Sequence, residues 1–210
     1  NRINELSGNY LPAGKIGAYS MISGLDAPAP RSPIILDDKQ IDATKDKVHD
    51  LIGPGHTAFF ILHTMSGNTN AKSIRPEDVV DLLTPLIDKK GVYFLHVGGS
   101  GEEVIKHDRI ISLQGKLSWM EVFYLTSIAG GCVCIDSAVM HIAQHFNIPV
   151  LSLWGPTDPL NILGPDPGVN AVVTSEACAG CNRYDCTPSI CMRSFNKAAL
   201  RRALKKLPGG

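Results

Sequence analysis

Lys72, Glu102, Glu103, Asp136, Ser137 and His141 are the residues whose types suit work on an anionic ligand, and each lies just beyond a short apolar run. "AFFILH" leads into the hydroxyl-rich "TMSGNTNAK", which carries Thr64, Ser66, Thr69 and Lys72. "VYFLHV" leads into "GGSGEE", with Glu102 and Glu103. "CVCID" ends in Asp136-Ser137-Ala138, and His141 follows one turn into a helical pattern. A helix start offers unpaired N–H groups and a partial positive charge, so it holds anions. With a lysine ammonium and an imidazole added, the set suits a diphosphate. It is not a P-loop, and "GGSG" is an incomplete dinucleotide fingerprint, so a hydride-transfer cofactor is not expected.

Each of these residues also has an ordinary structural use. Asp-Ser before a helix is commonly an N-cap, a histidine on an amphipathic helix is commonly a satisfied polar group, and Lys72 alone is a surface cation. Glu102 and Glu103 could simply be exposed carboxylates. Their shared place after strand-like runs is what joins them into a site.

A second chemistry lies in "CAGCNRYDCTPSIC", where Cys178, Cys181, Cys186 and Cys191 stand three, five and five residues apart. Four thiolates on one loop could close a tetrahedral shell around structural Zn or Fe. One or two disulfides and free buried thiols are the alternatives, disulfides being the less suited to a reducing cytoplasm. Cys132 and Cys134 share one face of a buried run and read as core.

The elements that must position these groups alternate. Strands are expected at "AFFILH", "VYFLHV", "RIISL", "CVCID", "PVLSLW" and "NAVVTS". Helices are expected over "RPEDVVDLLTPLIDKKG", with Pro76 near its start and Gly91 as its stop, over "SWMEVFYLTSIAG" as an amphipathic helix, over the His141 stretch, and over the basic "NKAALRRALKKL". That alternation predicts an α/β fold, a Rossmann-like open and mostly parallel sheet with helices on both faces. Ligands of such sheets bind beyond the carboxyl ends of the strands. Residues 1–57, rich in Pro, Gly and Ala with one helical pattern at "DDKQIDATKDKVHDLI", read as an interdomain or connecting segment, and 58–210 as the nucleotide-binding domain.

Lys plus Arg equals Asp plus Glu at 20 each, so no global field attracts nucleic acid, and at most peripheral membrane contact is expected. No stretch is long and apolar enough to cross a bilayer, the start lacks signal-peptide regions, and it lacks a starting methionine, as an excised piece would. A cytoplasmic location is expected.

"CIDSAVMHIAQHFNIPVLSLWGPTDP", followed by "CAGC" and "CMRSF", resembles the C-terminal half of glycosyltransferase family 9, the ADP-heptose:lipopolysaccharide heptosyltransferases among them. "ILHTMSGNTNAK", "RPEDVVDLLTPLI" and "FLHVGGSGEE" fit the family's upstream order. The resemblance implies the C-terminal domain of a GT-B enzyme that holds a nucleotide-diphosphate sugar, ADP-heptose by analogy. A missing N-terminal domain would supply the glycan acceptor site and the catalytic base, so this chain alone is expected to bind donor without transferring sugar, and no catalytic residue is expected in it. The resemblance also implies inverting transfer to lipopolysaccharide core or a related surface glycan, with no metal required for transfer. It assigns the diphosphate to Lys72, Asp136, Ser137, Ala138 and His141, the phosphate loop to Thr64, Ser66 and Thr69, and the ribose to Glu102 or Glu103, Glu103 by its offset from the glycine pair. The family's usual glycine after Asp-Ser is Ala138 here; its methyl is expected to push phosphates outward or to change donor choice. A non-catalytic interaction domain with a metal-stapled cysteine loop and a protein-modifying glycosyltransferase are the competing readings.

Overall fold

A computed structural model describes residues 34, 37–52, 59–67, 69–88, 92–164, 169–187 and 189–207. Most of the segment read as connecting, residues 1–33 among it, lies outside the described residues. Its helical pattern forms α1 (Asp38–Ile52). Buried Val48 joins α1 to the core, and Lys47 Nζ lies 2.7 Å from Glu121 Oε1 on a later helix.

Six strands follow: β1 (Phe59–His63), β2 (Tyr93–His96), β3 (Ile110–Ser112), β4 (Gly131–Ile135), β5 (Val150–Trp154) and β6 (Asn170–Val173). They form one sheet in the order β3-β2-β1-β4-β5-β6, every neighbouring pair parallel. The helices are α2 (Pro76–Ile87), α3 (Trp119–Ile128), α4 (Ala138–His145), the short α5 (Pro159–Leu163) and α6 (Lys197–Leu204). Three of them open on a clear local signal. Pro76 sets the first turn of α2, Ser118 and Glu121 exchange both bonds of a capping box on α3, and Asn196 accepts from Ala198 and Ala199 N–H on α6.

Alternation along the strands sorts side chains into two cores. Phe60, Leu62, Val133 and Leu153 face Leu83 and Leu86 of α2 and Leu200 and Leu204 of α6. Phe59, Ile61, Cys132 and Cys134 face Val48 of α1, Leu125 of α3 and Met140 of α4. Every residue of β4 and β5 is buried, as a parallel sheet covered on both faces requires. Cys132 and Cys134 are core residues at 0% and 1% exposure. At Gly131 a Cβ would stand 2.6 Å from the Phe60 ring, so only glycine lets β4 lie against β1 there.

Two helices differ from their sequence patterns. α2 ends at Ile87, short of Lys89–Gly91, which lie outside the described residues; Pro85 has already removed one N–H from its last turns. α3 is not cleanly two-faced, because Trp119 and Ile128 at its ends are more than half exposed. Among the described residues no helix is long and apolar enough to cross a membrane.

Candidate functional site

Strand order reverses between β1 and β4, and loops at such a switch point diverge to leave a crevice. Register His63↔Cys134 brings the loop after β1 beside the turn after β4, so residues more than 60 positions apart in sequence meet. The crevice is a cleft of about 570 Å³, a size suited to a small ligand. Ser66, Gly67, Lys72, Gly98, Gly99, Glu102, Asp136, Ser137 and Ala138 make its polar part, and Met65, Val97, Leu117, Trp119, Val122 and Val139 its apolar part.

Lys72 sits on a 3-10 turn, Asn70–Lys72, opened by Thr69, whose hydroxyl accepts from Ala71 N–H at 3.1 Å. Its ammonium donates to the Asp136 carbonyl at 3.1 Å and to Asp136 Oδ2 at 3.2 Å. Ser137 is the N-cap of α4 in extended backbone (φ −155°, ψ 169°), yet its side chain caps nothing, and among the described residues its buried Oγ has no partner. The first amides of α4 therefore face the cleft without a side-chain cap, next to a cation. Ala138 is the first helical residue, where φ is negative, so the family's glycine is not needed here for backbone conformation.

Glu102 is held for the cleft. Its Oε1 accepts from Gly99 N–H at 2.8 Å and its Oε2 from Gln114 Nε2 at 3.3 Å. A Cβ on Gly98 would stand 1.9 Å from Oε2, so this approach demands glycine. Glu103, favoured by its offset, lines a separate cleft with Arg75, Cys186 and Arg193, and its backbone carbonyl takes a second bond from Gln114. Of the two glutamates, Glu102 is the one in the main cleft.

Other expected residues fall elsewhere. Thr64 turns into the core, 3% exposed, with Oγ1 3.0 Å from His96 Nε2, because it continues the inward side of β1. Thr69 shapes the lysine turn and does not line the cleft. His141 is exposed, its Nδ1 3.1 Å from Gln144 Oε1, and it does not line the cleft. It lies three residues after Ala138, hence on that residue's face of α4 one turn along.

The sequence reading passed over the floor. β1 and β2 both end in histidine, with Leu62 paired to His96. His63 lines the cleft; burial pushes its imidazole below the usual range, Glu102 pulling upward and Lys72 further down. His96 is fully buried and pushed down to about 4, by burial first and then by His63. Two apolar runs ending alike, "FFILH" and "YFLH", were the available signal. Trp119, directly after its N-cap and 58% exposed at the rim, was another.

All six cysteines are unpaired. Burial raises the Cys191 thiol, and the charges of Cys178, Cys181 and Cys186 raise it further. An all-sulfur set suits Zn or Fe. Among the described residues, however, no three of His, Cys, Asp or Glu stand as a group that could hold a metal ion. The expected shell is not formed in this arrangement.

The fold is shared with solved structures. E. coli ADP-heptose LPS heptosyltransferase II is similar at 15% identity and TM-score 0.64, over 87% of this chain and 55% of that one. A glycosyltransferase family 9 protein from Veillonella parvula DSM 2008 is similar at 14% identity and TM-score 0.59, over 78% and 50%. The dodecameric iron-containing heptosyltransferase TibC of enterotoxigenic E. coli H10407, solved in complex with ADP-D-β-D-heptose, is similar at 18% identity and TM-score 0.57, over 87% and 50%. The chain thus spans about half the length of these relatives. No curated protein matches it. The sequence itself matches the model of one family, glycosyltransferase family 9 (heptosyltransferase), over residues 23–190, and the chain belongs to that family.

Proposed function

We propose that this chain is the donor-binding half of an inverting glycosyltransferase, with a nucleoside-diphosphate sugar, ADP-heptose foremost, in the 570 Å³ cleft. One observation carries this: Lys72 is fixed on Asp136 at the mouth of α4, whose first amides and Ser137 hydroxyl have no side-chain partner among the described residues. A diphosphate placed there meets the ammonium, the helix dipole and the free hydroxyl together. Glu102 accepts the ribose hydroxyls, and the base lies against Val97, Leu117 and Trp119. His141, one turn along α4, approaches the phosphate nearest the sugar. As the sugar leaves, charge accumulates on the diphosphate, and these preorganised groups stabilise it.

The ADP-heptose in TibC supports the choice of nucleotide. In this reading residues 58–210 are the donor domain and 1–57 join it to an acceptor domain. The acceptor is a bacterial surface glycan, such as lipopolysaccharide core, met at the cytoplasmic face of the inner membrane. Unpaired cysteines suit that reducing side. TibC's iron also supports Cys178, Cys181, Cys186 and Cys191 as a structural metal loop, which metal analysis of protein purified without chelator would reveal.

Trp119 provides the test of nucleotide binding. Of the two tryptophans, Trp154 is fully buried and Trp119 is at the rim. ADP should quench the emission of Trp119, the quench should vanish in Trp119→Phe, and calorimetry should rank ADP above UDP and GDP. No binding of any of the three by a folded chain sinks the reading.

A further inference from the structure

The cysteine loop crosses the carboxyl end of the sheet. Gly180 N–H donates to the Gly155 carbonyl at 2.9 Å and Asn182 N–H to the Pro156 carbonyl at 2.7 Å, both in the turn after β5. Gly180 (φ 72°) and Asn182 (φ 56°) adopt the left-handed backbone this path needs, which glycine and asparagine tolerate. Two residues later the loop has reached the other side of β4, where the Thr69 hydroxyl donates to the Tyr184 carbonyl. That same hydroxyl accepts from Ala71 N–H and so opens the turn that carries Lys72. One side chain therefore ties the lysine turn to the cysteine loop.

The Tyr184 ring completes the link. Its centroid is 5.9 Å from Lys72 Nζ, and that ammonium is the one fixed on Asp136. Partial burial raises the phenol above its usual range, and the charges of Asp136 and then Cys181 raise it further. A lysine has a flexible four-carbon stem whose freedom must be lost when it grips a phosphate. An aromatic face that attracts the ammonium removes part of that loss in advance.

We infer that the cysteine loop acts on the donor site through Lys72: Tyr184 is a positioning residue that holds Lys72 ready for the diphosphate, and the loop's bonds to the turn after β5 and to Thr69 hold Tyr184. The inference rests on the donor-site reading above.

ADP and AMP separate the outcomes, because both carry the base and ribose but only ADP has the diphosphate. Binding of each is measured by calorimetry for the unsubstituted chain, Tyr184→Phe and Tyr184→Leu. Tyr184 is 47% exposed, so the substitutions spare the core. Tyr184→Leu should weaken ADP by roughly two- to fivefold, the range of an exposed cation–π contact, and leave AMP unchanged. Tyr184→Phe should bind as the unsubstituted chain does. Unchanged ADP binding in Tyr184→Leu, an equal loss of ADP and AMP, or failure of the Phe variant to restore binding would each overturn the inference. A folded chain that binds neither nucleotide overturns the donor-site reading itself, a result distinct from all three.

Discussion

The turn after β4 and the cysteine loop both bear on Lys72, and they are built in opposite ways. Asp136 and Ser137 are placed by a strand buried along its whole length and by the helix that begins at Ala138. The cysteine loop is placed by a few backbone bonds to other loops and by left-handed residues, with Cys178 and Cys181 exposed. The first region inherits the rigidity of the sheet, and the second has only the contacts it makes. The turn after β4 is thus the fixed half of this corner and the cysteine loop its adjustable half; in the proposed reading the first grips the donor and the second tunes the grip.

If that contrast is right, acid should act through the fixed half. His96 lies beneath the cleft with its folded value at about 4, below the ordinary histidine value of about 6.5. A depressed value means that the unfolded chain takes up the proton first. The contribution is therefore complete above about pH 6.5 and lost as pH falls toward about 4, to a limit of about 3 kcal/mol. His63 is shifted the same way by burial. Denaturant melts between pH 7 and 4.5 should show this slope, and His96→Gln, which keeps an amide for Thr64, should flatten it. An unaltered slope would move the acid sensitivity elsewhere.

Lys72→Met comes next. It removes the cation and strands Asp136, and ADP affinity should fall about a hundredfold. A loss of only a few fold would show that the α4 amides hold the phosphates without it. In the adjustable half, Gly155→Ala drives a Cβ to 2.5 Å from Met192 Sδ and 2.9 Å from Cys191 Sγ. Displacing Cys191 should cost about 2 kcal/mol in denaturant unfolding, as overpacking does. A neutral result would mean that the loop yields even where it is buried. The smallest effect separates neighbours: Glu102→Gln should weaken ADP about tenfold, and Glu103→Gln by less than about twofold, by calorimetry. Equal effects would erase the distinction drawn from their two clefts.

Much of the fixed half was legible. The runs "CVCID" and "PVLSLW", the Asp-Ser turn and the helix after it follow from burial on both faces and from N-cap chemistry, and the structure has them within a residue or two. Lys72 and Asp136 were named from strand ends alone, and they meet because β1 and β4 are neighbours. Choosing Glu102 over Glu103 was beyond offset counting, because the choice depends on the missing Cβ of Gly98 and on the amide of Gln114. The family resemblance put Thr64 in the phosphate loop; its strand parity sends it inward to His96. Tyr184 could not be linked to Lys72 at all, since that contact joins loops 112 residues apart.

The sequence by itself determined the alternation of strands and helices, the parallel sheet and the Asp-Ser turn that opens α4, because periodicity, caps and chain direction are local properties. Tertiary structure alone decided which glutamate enters the cleft, that two histidines lie beneath it, and that the cysteine loop leans on the lysine. Those outcomes depend on strand order and on sub-ångström room between side chains, and neither is written in the spacing of residues along a chain.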